Sequence, residues 1–366
     1  MSSFAIVGDF MLGDQPLCCG FGVRSAARGD YDLILNDFAD YVRHYSFVIG
    51  NLECVVFDEV PNGGPDKTAM KAPRQAIDAL VKANVKYLTL ANNHTMEYGP
   101  EAFNHMARLC EAKGIQVFGT KKAPYIVIEH EGRKLGLLGF STVPAMYGYE
   151  PEYLFVDEFD QDDLISLTSL IHQAANECDY LIACPHWGYE FIKQPSPSHI
   201  AIADQMLTAG VDFIAGAHPH IVQVATRIHE KPVFFSLGNL TSDYWQEKYR
   251  HSIMLEISLD EPDQGLVHDF IIDKQLIVRP LHVKTPFSSY YSEVDGTISQ
   301  DKYNVLSNRV RKRARIESLI HLLANAHKVL TNPGMVAWVF KRSIFIFRNR
   351  KKFQDDPRSV YQGPIH

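Results

Sequence analysis

Five short apolar runs in this chain each stop on a polar residue able to bind a metal, and that recurrence restricts the fold more than any other feature. The clearest is Val211-Asp-Phe-Ile-Ala-Gly-Ala-His-Pro-His220, where a buried strand over 213–215 stops at Gly216 and presents two histidines one residue apart. Phe4-Ala-Ile-Val runs into Gly8-Asp9, and Phe47-Val-Ile into Gly50-Asn51-Leu52-Glu53. Tyr87-Leu-Thr-Leu-Ala leads to Asn92-Asn93-His94, and Tyr180-Leu-Ile-Ala-Cys-Pro to His186-Trp187-Gly188. Continuous apolar strands closed by small residues are those of a parallel sheet buried on both faces. Ligands of such sheets collect outside the carboxyl ends of the strands, so residues scattered through the sequence can converge there. Carboxylate, amide and imidazole groups brought together are what a divalent transition metal requires.

Between the runs the spacing predicts helices over 30–45, 74–83, 99–113, 164–176 and 200–209. Helix and strand alternate in this half, which argues a parallel or mixed sheet with helices outside it. Residues 125–129 and 135–140 flank Gly132 as a hairpin, and the aromatic, acidic stretch 141–163 is irregular and covers the site's mouth or a surface edge. From 222 to 283 strand follows strand without a helix: 222–228, 233–236, 253–259, 267–272 and 276–283. Two packed sheets with helices on their outer faces are the architecture this predicts. The loop 60–66 has the two glycines of a phosphate loop without its glycine–lysine spacing, and is read as a loop.

At 366 residues, 46% hydrophobic and 22% charged, the chain suits a soluble globular protein of one large domain and an appendage, or of two domains. Its net charge of −7 is unevenly spread: thirteen Lys/Arg stand between Lys302 and Phe353 against Glu317 alone. An acidic body with a basic tail points to two jobs, or to one job and an address. The six cysteines show neither metal spacing nor a disulfide framework, so reduced thiols in a cytoplasmic chain are expected. No secretory signal and no bilayer-spanning run is read from the sequence.

Gly8-Asp-Phe-Met-Leu-Gly, Asn51-Leu-Glu, Leu90-Ala-Asn-Asn-His-Thr-Met-Glu-Tyr-Gly99, His186-Trp-Gly-Tyr-Glu-Phe191, Gly216-Ala-His-Pro-His-Ile-Val-Gln223 and Phe235-Ser-Leu-Gly-Asn239 follow in one order. In that order they resemble the bacterial CapA family, associated with capsule and poly-γ-glutamate synthesis, whose domain looks like the calcineurin-like metallophosphoesterases. The resemblance covers roughly Phe4 to Val283. It implies an α/β fold, a two-sheet α/β/β/α sandwich over residues 1–285, with 286–366 as a basic, helical C-terminal extension. It also implies one or two divalent metal ions (manganese, iron or zinc). Asp9, Glu53 and His220 would hold the first, with Glu53 bridging, and Asn93, His186 and His218 the second. His94 would serve a phosphoryl oxygen or the leaving group, oriented by Glu97. Lys71 resembles a basic position of the family and would meet an anionic substrate, while Glu190 is read either as a substrate-binding residue or as half of a surface salt bridge. Asn92 and Asn239 are read as structural turn residues and Trp187 as a packing residue.

Two departures stand out. The phosphoesterase pattern has histidine two residues after the first Asp, where this chain has Met11. CapA relatives usually carry a basic residue where it has Asp14, which is either a recruited ligand or a loop cap.

Two functions follow. One is a metal-dependent hydrolase making or remodelling an anionic cell-surface polymer; the other is a non-catalytic accessory subunit of a polymer synthase or export complex. A nucleic-acid enzyme ranks last, because the body lacks basic patches with interleaved aromatics. Over 308–330, Val310, Ile316, Leu319, Ile320, Leu323 and Leu330 can share one helical stripe behind a cluster of arginines. The apolar and aromatic runs 335–340 and 344–347, flanked by basic residues, suit either docking on the domain or peripheral contact with an anionic membrane at its inner surface.

Overall fold

The first apolar run becomes β1 (Phe4–Phe10), and its burial shows why the run is continuous: Phe4 and Ile6 face one core, Ala5 and Val7 another. The coordinates are those of a computed structural model, which describes residues 3–18, 20–57, 69–294 and 299–324 with isolated positions beyond. After β1 come β2 (Val48–Leu52), β3 (Val55–Phe57), β4 (Lys71–Pro73), β5 (Val85–Thr89) and β6 (Gln116–Phe118). Strands β1, β2, β5 and β6 lie parallel side by side, while β3 and β4 form a separate two-stranded ribbon.

The chain then crosses to a second sheet, built from β7 (Tyr125–His130), β8 (Arg133–Ser141), β9 (Tyr180–His186), β10 (Phe213–Ala215), β11 (Ala225–Ile228) and β12 (Lys231–Phe234). Their order is β11-β12-β10-β9-β8-β7, with β8, β9, β10 and β12 parallel and the outer two antiparallel. It returns to the first sheet with β13 (Asn239–Thr241), β14 (His251–Ile257), β15 (Leu266–Ile272) and β16 (Val278–Pro286). β14 pairs antiparallel with β1, and β13 lies parallel to it.

Three separate hydrophobic cores define the layers. The first sheet packs through Val7, Phe10 and Leu88 on helices Asp32–Val42, Gln75–Lys82 and Gly99–Ala112, which supply Phe38, Leu80 and Met106. Phe4, Ile49 and Leu255 of that sheet meet Leu137, Ile182 and Phe213 of the second. The second sheet's other face, with Phe140 and Ile214, covers Leu167, Ile171 and Met206 of helices Gln161–Glu177 and Pro197–Ala209. Three inter-layer cores make four layers, the expected α/β/β/α sandwich.

The details differ from the sequence expectation for local reasons. Asp160 accepts from the amides of Asp162 and Asp163, so that helix starts at 161 rather than 164. Ser196 accepts from the His199 amide ahead of Pro197, moving the next start from 200 to 197. The second half is not a simple antiparallel run, since it completes one sheet and then rejoins the other. The C-terminal helix spans Gln300–Ala324, and Tyr303, Ser307 and Val310 turn toward the domain. Ile316 and Ile320 are more than half exposed, so they do not share the stripe of Val310. Loop 60–66, Leu330, the side chains of Leu319 and Leu323, and nearly all of the runs beyond 332 lie outside the described residues. Among the described residues the cysteines are free, and no helix is long and apolar enough to cross a membrane.

Candidate metal centre

The carboxyl ends of β1, β2 and β5 in one sheet and of β9 and β10 in the other open at the same edge of the sandwich, and the predicted residues meet there. Glycines permit the approach. A Cβ on Gly8 would lie 1.9 Å from the Gly238 carbonyl oxygen, and one on Gly216 would lie 2.2 Å from that of Phe235. Beyond Gly216 the backbone holds His218 at φ +95° and His220 at φ +58°. Non-glycine residues in this region cost about 1–3 kcal/mol each and mark sites that need a fixed side-chain direction.

Asp9 is fully buried; its Oδ1 accepts from Asn51 Nδ2 at 2.6 Å and its Oδ2 from the His218 amide at 3.1 Å. His186 Nε2 stands 2.8 Å from Asn93 Oδ1 and 3.5 Å from Glu53 Oε1. His220 Nδ1 is 3.0 Å from Asn239 Oδ1 and 3.8 Å from carboxylate oxygens of both Asp9 and Glu53. The rings of His186 and His218 are 4.7 Å apart. Two triads emerge, Glu53 with His186 and His218, and Asp9 with Glu53 and His220, each with ligand atoms within 4.8 Å of one another. Glu53 belongs to both.

Glu53 is also short of hydrogen bonds. It is fully buried, and neither carboxylate oxygen has a hydrogen-bond partner among the described residues. Burial, then the charges of Asp9 and Glu190, hold its carboxyl well above the usual range. Burial raises Asp9 too, opposed by His220 and Asn51. Burial, then His220 and His94, push His186 well below its ordinary value, which keeps the imidazole neutral, the form that binds metal. Orphaned buried carboxylate oxygens beside imidazole nitrogens and an amide oxygen fit a divalent cation with nitrogen and oxygen preferences.

His94 stands at the rim, part-buried. Its Nδ1 is hydrogen-bonded to Glu97 Oε1, and its Nε2 points inward, 3.9 Å from Glu53 Oε1. Lys71 lies outside the cluster, its Nζ 4.4 Å from the Phe57 ring centroid and 3.9 Å from that of Tyr98. Burial and then Arg24 lower its pKa. Glu190 is half-buried, and its charge reaches Glu53. From stretch 141–163, the Met146 amide donates to the Asn93 carbonyl at 3.1 Å, which places that segment over the asparagine turn.

Both departures resolve physically. Met11 is buried in the core between the first sheet and its helices, so it offers the cluster nothing. Asp14 accepts from the amides of Gly20 and Ser25, both at 3.0 Å, from Ser25 Oγ at 2.5 Å and from Arg24 at 3.3 Å. It is the loop cap, saturated by its own neighbours. Trp187 is a packing residue, its Nε1 donating to the Phe235 carbonyl at 2.9 Å. Asn92 accepts from the amides of His94 and Thr95, both at 3.1 Å, closing the turn. Sequence reasoning passed over Asn51, whose Nδ2 touches both Asp9 and His186 Nδ1 (3.1 Å). Its position at a strand end, two residues before Glu53 and hence on the same face, was the available signal.

A sequence model of the family described as "Bacterial capsule synthesis protein PGA_cap" matches residues 3–244. The "Capsule biosynthesis protein CapA" of Bacillus anthracis is 24% identical over 70% of this chain and 64% of its own length. The match thus spans less than two thirds of that relative. The "PGA biosynthesis protein CapA" of Bacillus subtilis (strain 168) is 24% identical over 72% of this chain and 69% of its own length. Among solved structures, a novel phosphatase from Mycoplasma pneumoniae is 12% identical, with a TM-score of 0.43 over 78% of this chain and 93% of that one. With a match across most of its length, on the segment that carries the whole ligand cluster, this chain belongs to the bacterial capsule synthesis protein family PGA_cap.

Proposed function

We propose that this chain is a metal-dependent hydrolase of phosphoesterase type, acting on an anionic cell-surface polymer or its precursor. The observation that carries the reading is the buried carboxylate of Glu53, without a hydrogen-bond partner among the described residues and shared by two triads, with His94 at its edge. Asp9, Glu53 and His220, and Asn93, His186 and His218, would hold one or two divalent ions. Bound there, such ions supply Lewis acidity and a nucleophilic hydroxide near neutral pH. The protein's own part is proton handling and orientation. Glu97 fixes His94 with Nδ1–H toward its carboxylate, leaving Nε2 to carry a proton to or from the reacting oxygen. Asn51 and the His218 amide hold Asp9 in one rotamer. Lys71, held over two rings beside Arg24, would meet the substrate's negative charge.

Purified protein should contain at least one manganese, iron or zinc per chain. It should cleave bis(p-nitrophenyl) phosphate or p-nitrophenyl phosphate, stop after chelation and recover with metal. Metal retained with no turnover on esters or amides would leave the second reading, an accessory subunit of a polymer synthase or export complex. Met11 favours that reading, since it removes a ligand the phosphoesterase pattern expects.

Residues 286–366 we assign to a basic extension that brings a cytoplasmic enzyme to the inner membrane surface. Ile316 and Ile320, both more than half exposed, suit that contact. Binding to anionic but not neutral vesicles, weakened by salt, is the expected result; no binding at low salt would remove the assignment.

A further inference from the structure

The C-terminal helix Gln300–Ala324 is fastened to the domain at two places and leaves a space between them. At its start, Tyr303 is 1% exposed, its hydroxyl donates to the Gln194 carbonyl at 2.8 Å, and its ring meets Tyr189 at 5.5 Å. Farther along, Glu317 accepts from Lys248 Nζ at 3.1 Å and from Arg313 Nε at 3.0 Å. The cavity between is about 270 Å³, a little under the ~300–1,000 Å³ of ordinary small-molecule pockets. Phe191, Tyr249 and Val310 form part of its apolar wall, and Lys193, Lys248 and Arg313 line it with positive charge.

The charges do not cancel. Glu317 is shared by Lys248 and Arg313, while Lys193 is exposed and has no ion pair among the described residues. The excess of cations calls for an anion, and the aromatic and aliphatic wall calls for methylene groups between its charges. An acidic chain with alkyl spacing has both. The pocket also adjoins the metal centre. The Phe191 ring lies 4.4 Å from Tyr249 on the pocket side and 5.9 Å from His220 on the other. Phe191 itself is held at φ +65° with its amide donating to the Pro219 carbonyl at 2.8 Å, between the two histidines. One aromatic ring thus separates the pocket from the ligand cluster. Lys248, Tyr249, Val310 and Arg313 all lie beyond residue 244, where the family match ends.

We propose that this pocket is a second subsite, which grips a polycarboxylate chain through Lys193, Lys248 and Arg313 and holds it beside the metal centre. The inference rests on the acidic-polymer substrate proposed above. A test is fluorescence anisotropy with a fluorescein-labelled oligomer of γ-linked glutamate, at low salt with chelator present. The full chain is compared with Lys193→Glu, Arg313→Glu and Lys302→Glu, the last an exposed residue on the same helix outside the pocket. Affinity should fall about tenfold or more in each of the first two and stay within about twofold in the third. Equal weakening in all three, no weakening in the first two, or no binding by the unaltered chain would overturn the subsite. Turnover of the oligomer with metal restored separates the two ideas. Pocket-dependent binding without turnover keeps the subsite and removes the hydrolase. Turnover with binding unchanged in Lys193→Glu and Arg313→Glu does the reverse.

Discussion

Two clusters of histidine and carboxylate occupy the first sheet's surroundings, and they are finished differently. At β14 and β15, Glu256 Oε1 accepts from Ser3 Oγ at 3.2 Å, and Oε2 accepts from the Tyr45 hydroxyl and stands 2.8 Å from His268 Nε2. His268 Nδ1 meets the Tyr41 hydroxyl, also at 2.8 Å. Each carboxylate oxygen and each ring nitrogen has a protein partner. At the candidate metal centre the carboxylate of Glu53 has no hydrogen-bond partner among the described residues, though its burial is greater. Leaving a buried polar group unpaired costs about 1–3 kcal/mol, more for a charge. The first cluster is therefore satisfied by the protein itself, and the second is compatible with a bound metal.

The largest effect that tests this contrast is on turnover. His94 is tied to the Glu97 carboxylate and also faces the cluster, so in the proposed hydrolase it would handle protons rather than hold metal. His94→Ala should keep its metal and lose turnover by about 10²–10⁴-fold, the usual range for a general acid–base. Asn93→Ala should lose metal first. Metal loss in both would merge their roles, and unchanged turnover in His94→Ala would leave the hydrolase without its proton carrier.

Next in size is the stabilisation a ligand brings. Metal at about a hundredfold to a thousandfold above its dissociation constant should stabilise the fold by about 2.7–4.1 kcal/mol. Thermal melting with and without metal would show it. His218→Ala and His220→Ala should abolish most of the shift and lower the metal bound per chain. The equivalent experiment on His268→Ala should leave both unaltered, because that ring is already satisfied. An equal metal-induced shift in all three variants would mean that the cluster at the sheet edge is not the binding site.

Most of this site was legible in the sequence because strand ends converge without any need to know the strand order. Asp9, Glu53, Asn93, His186, His218 and His220 each close an apolar run, and a parallel sheet gathers such ends at one edge. Asn51 and Asn239 were harder. An amide at a strand end reads as a turn residue, and only the fold shows one against Asp9 and the other against His220. The crossing of β7–β12 into a second sheet and the return at β13 left no trace in composition, since an apolar strand does not encode its neighbour. Helix starts at Gln161 and Pro197 were encoded in caps, Asp160 and Ser196, that lie before the apolar periodicity begins. In the C-terminal helix, periodicity misassigned Ile316 and Ile320 because the face seated on the domain is set by Tyr303 and by the polar residues Ser307 and Glu317.

The smallest effect is the sharpest test of the comparison, because the same substitution should have opposite signs at the two clusters. With chelator present, Glu53→Gln removes a buried carboxylate that repels Asp9 and has no hydrogen-bond partner among the described residues, and should stabilise the fold by about 1–2 kcal/mol. Glu256→Gln should destabilise it. Hydrogen bonding from His268, aided by Tyr45, holds the Glu256 carboxyl at about 2 against an ordinary 4.5. A depressed acid favours the folded state above about pH 4.5, and that contribution is lost as the pH falls from there toward 2. Glu256 is partly exposed, so solvent screening reduces its share to about 1–2 kcal/mol. Urea denaturation of Glu256→Gln should therefore show that deficit at pH 7 and a smaller one at pH 3, while Glu53→Gln in chelator gains stability at pH 7. If both variants lose stability at pH 7 with chelator present, Glu53 has a protein partner after all, and the two clusters differ in position but not in kind.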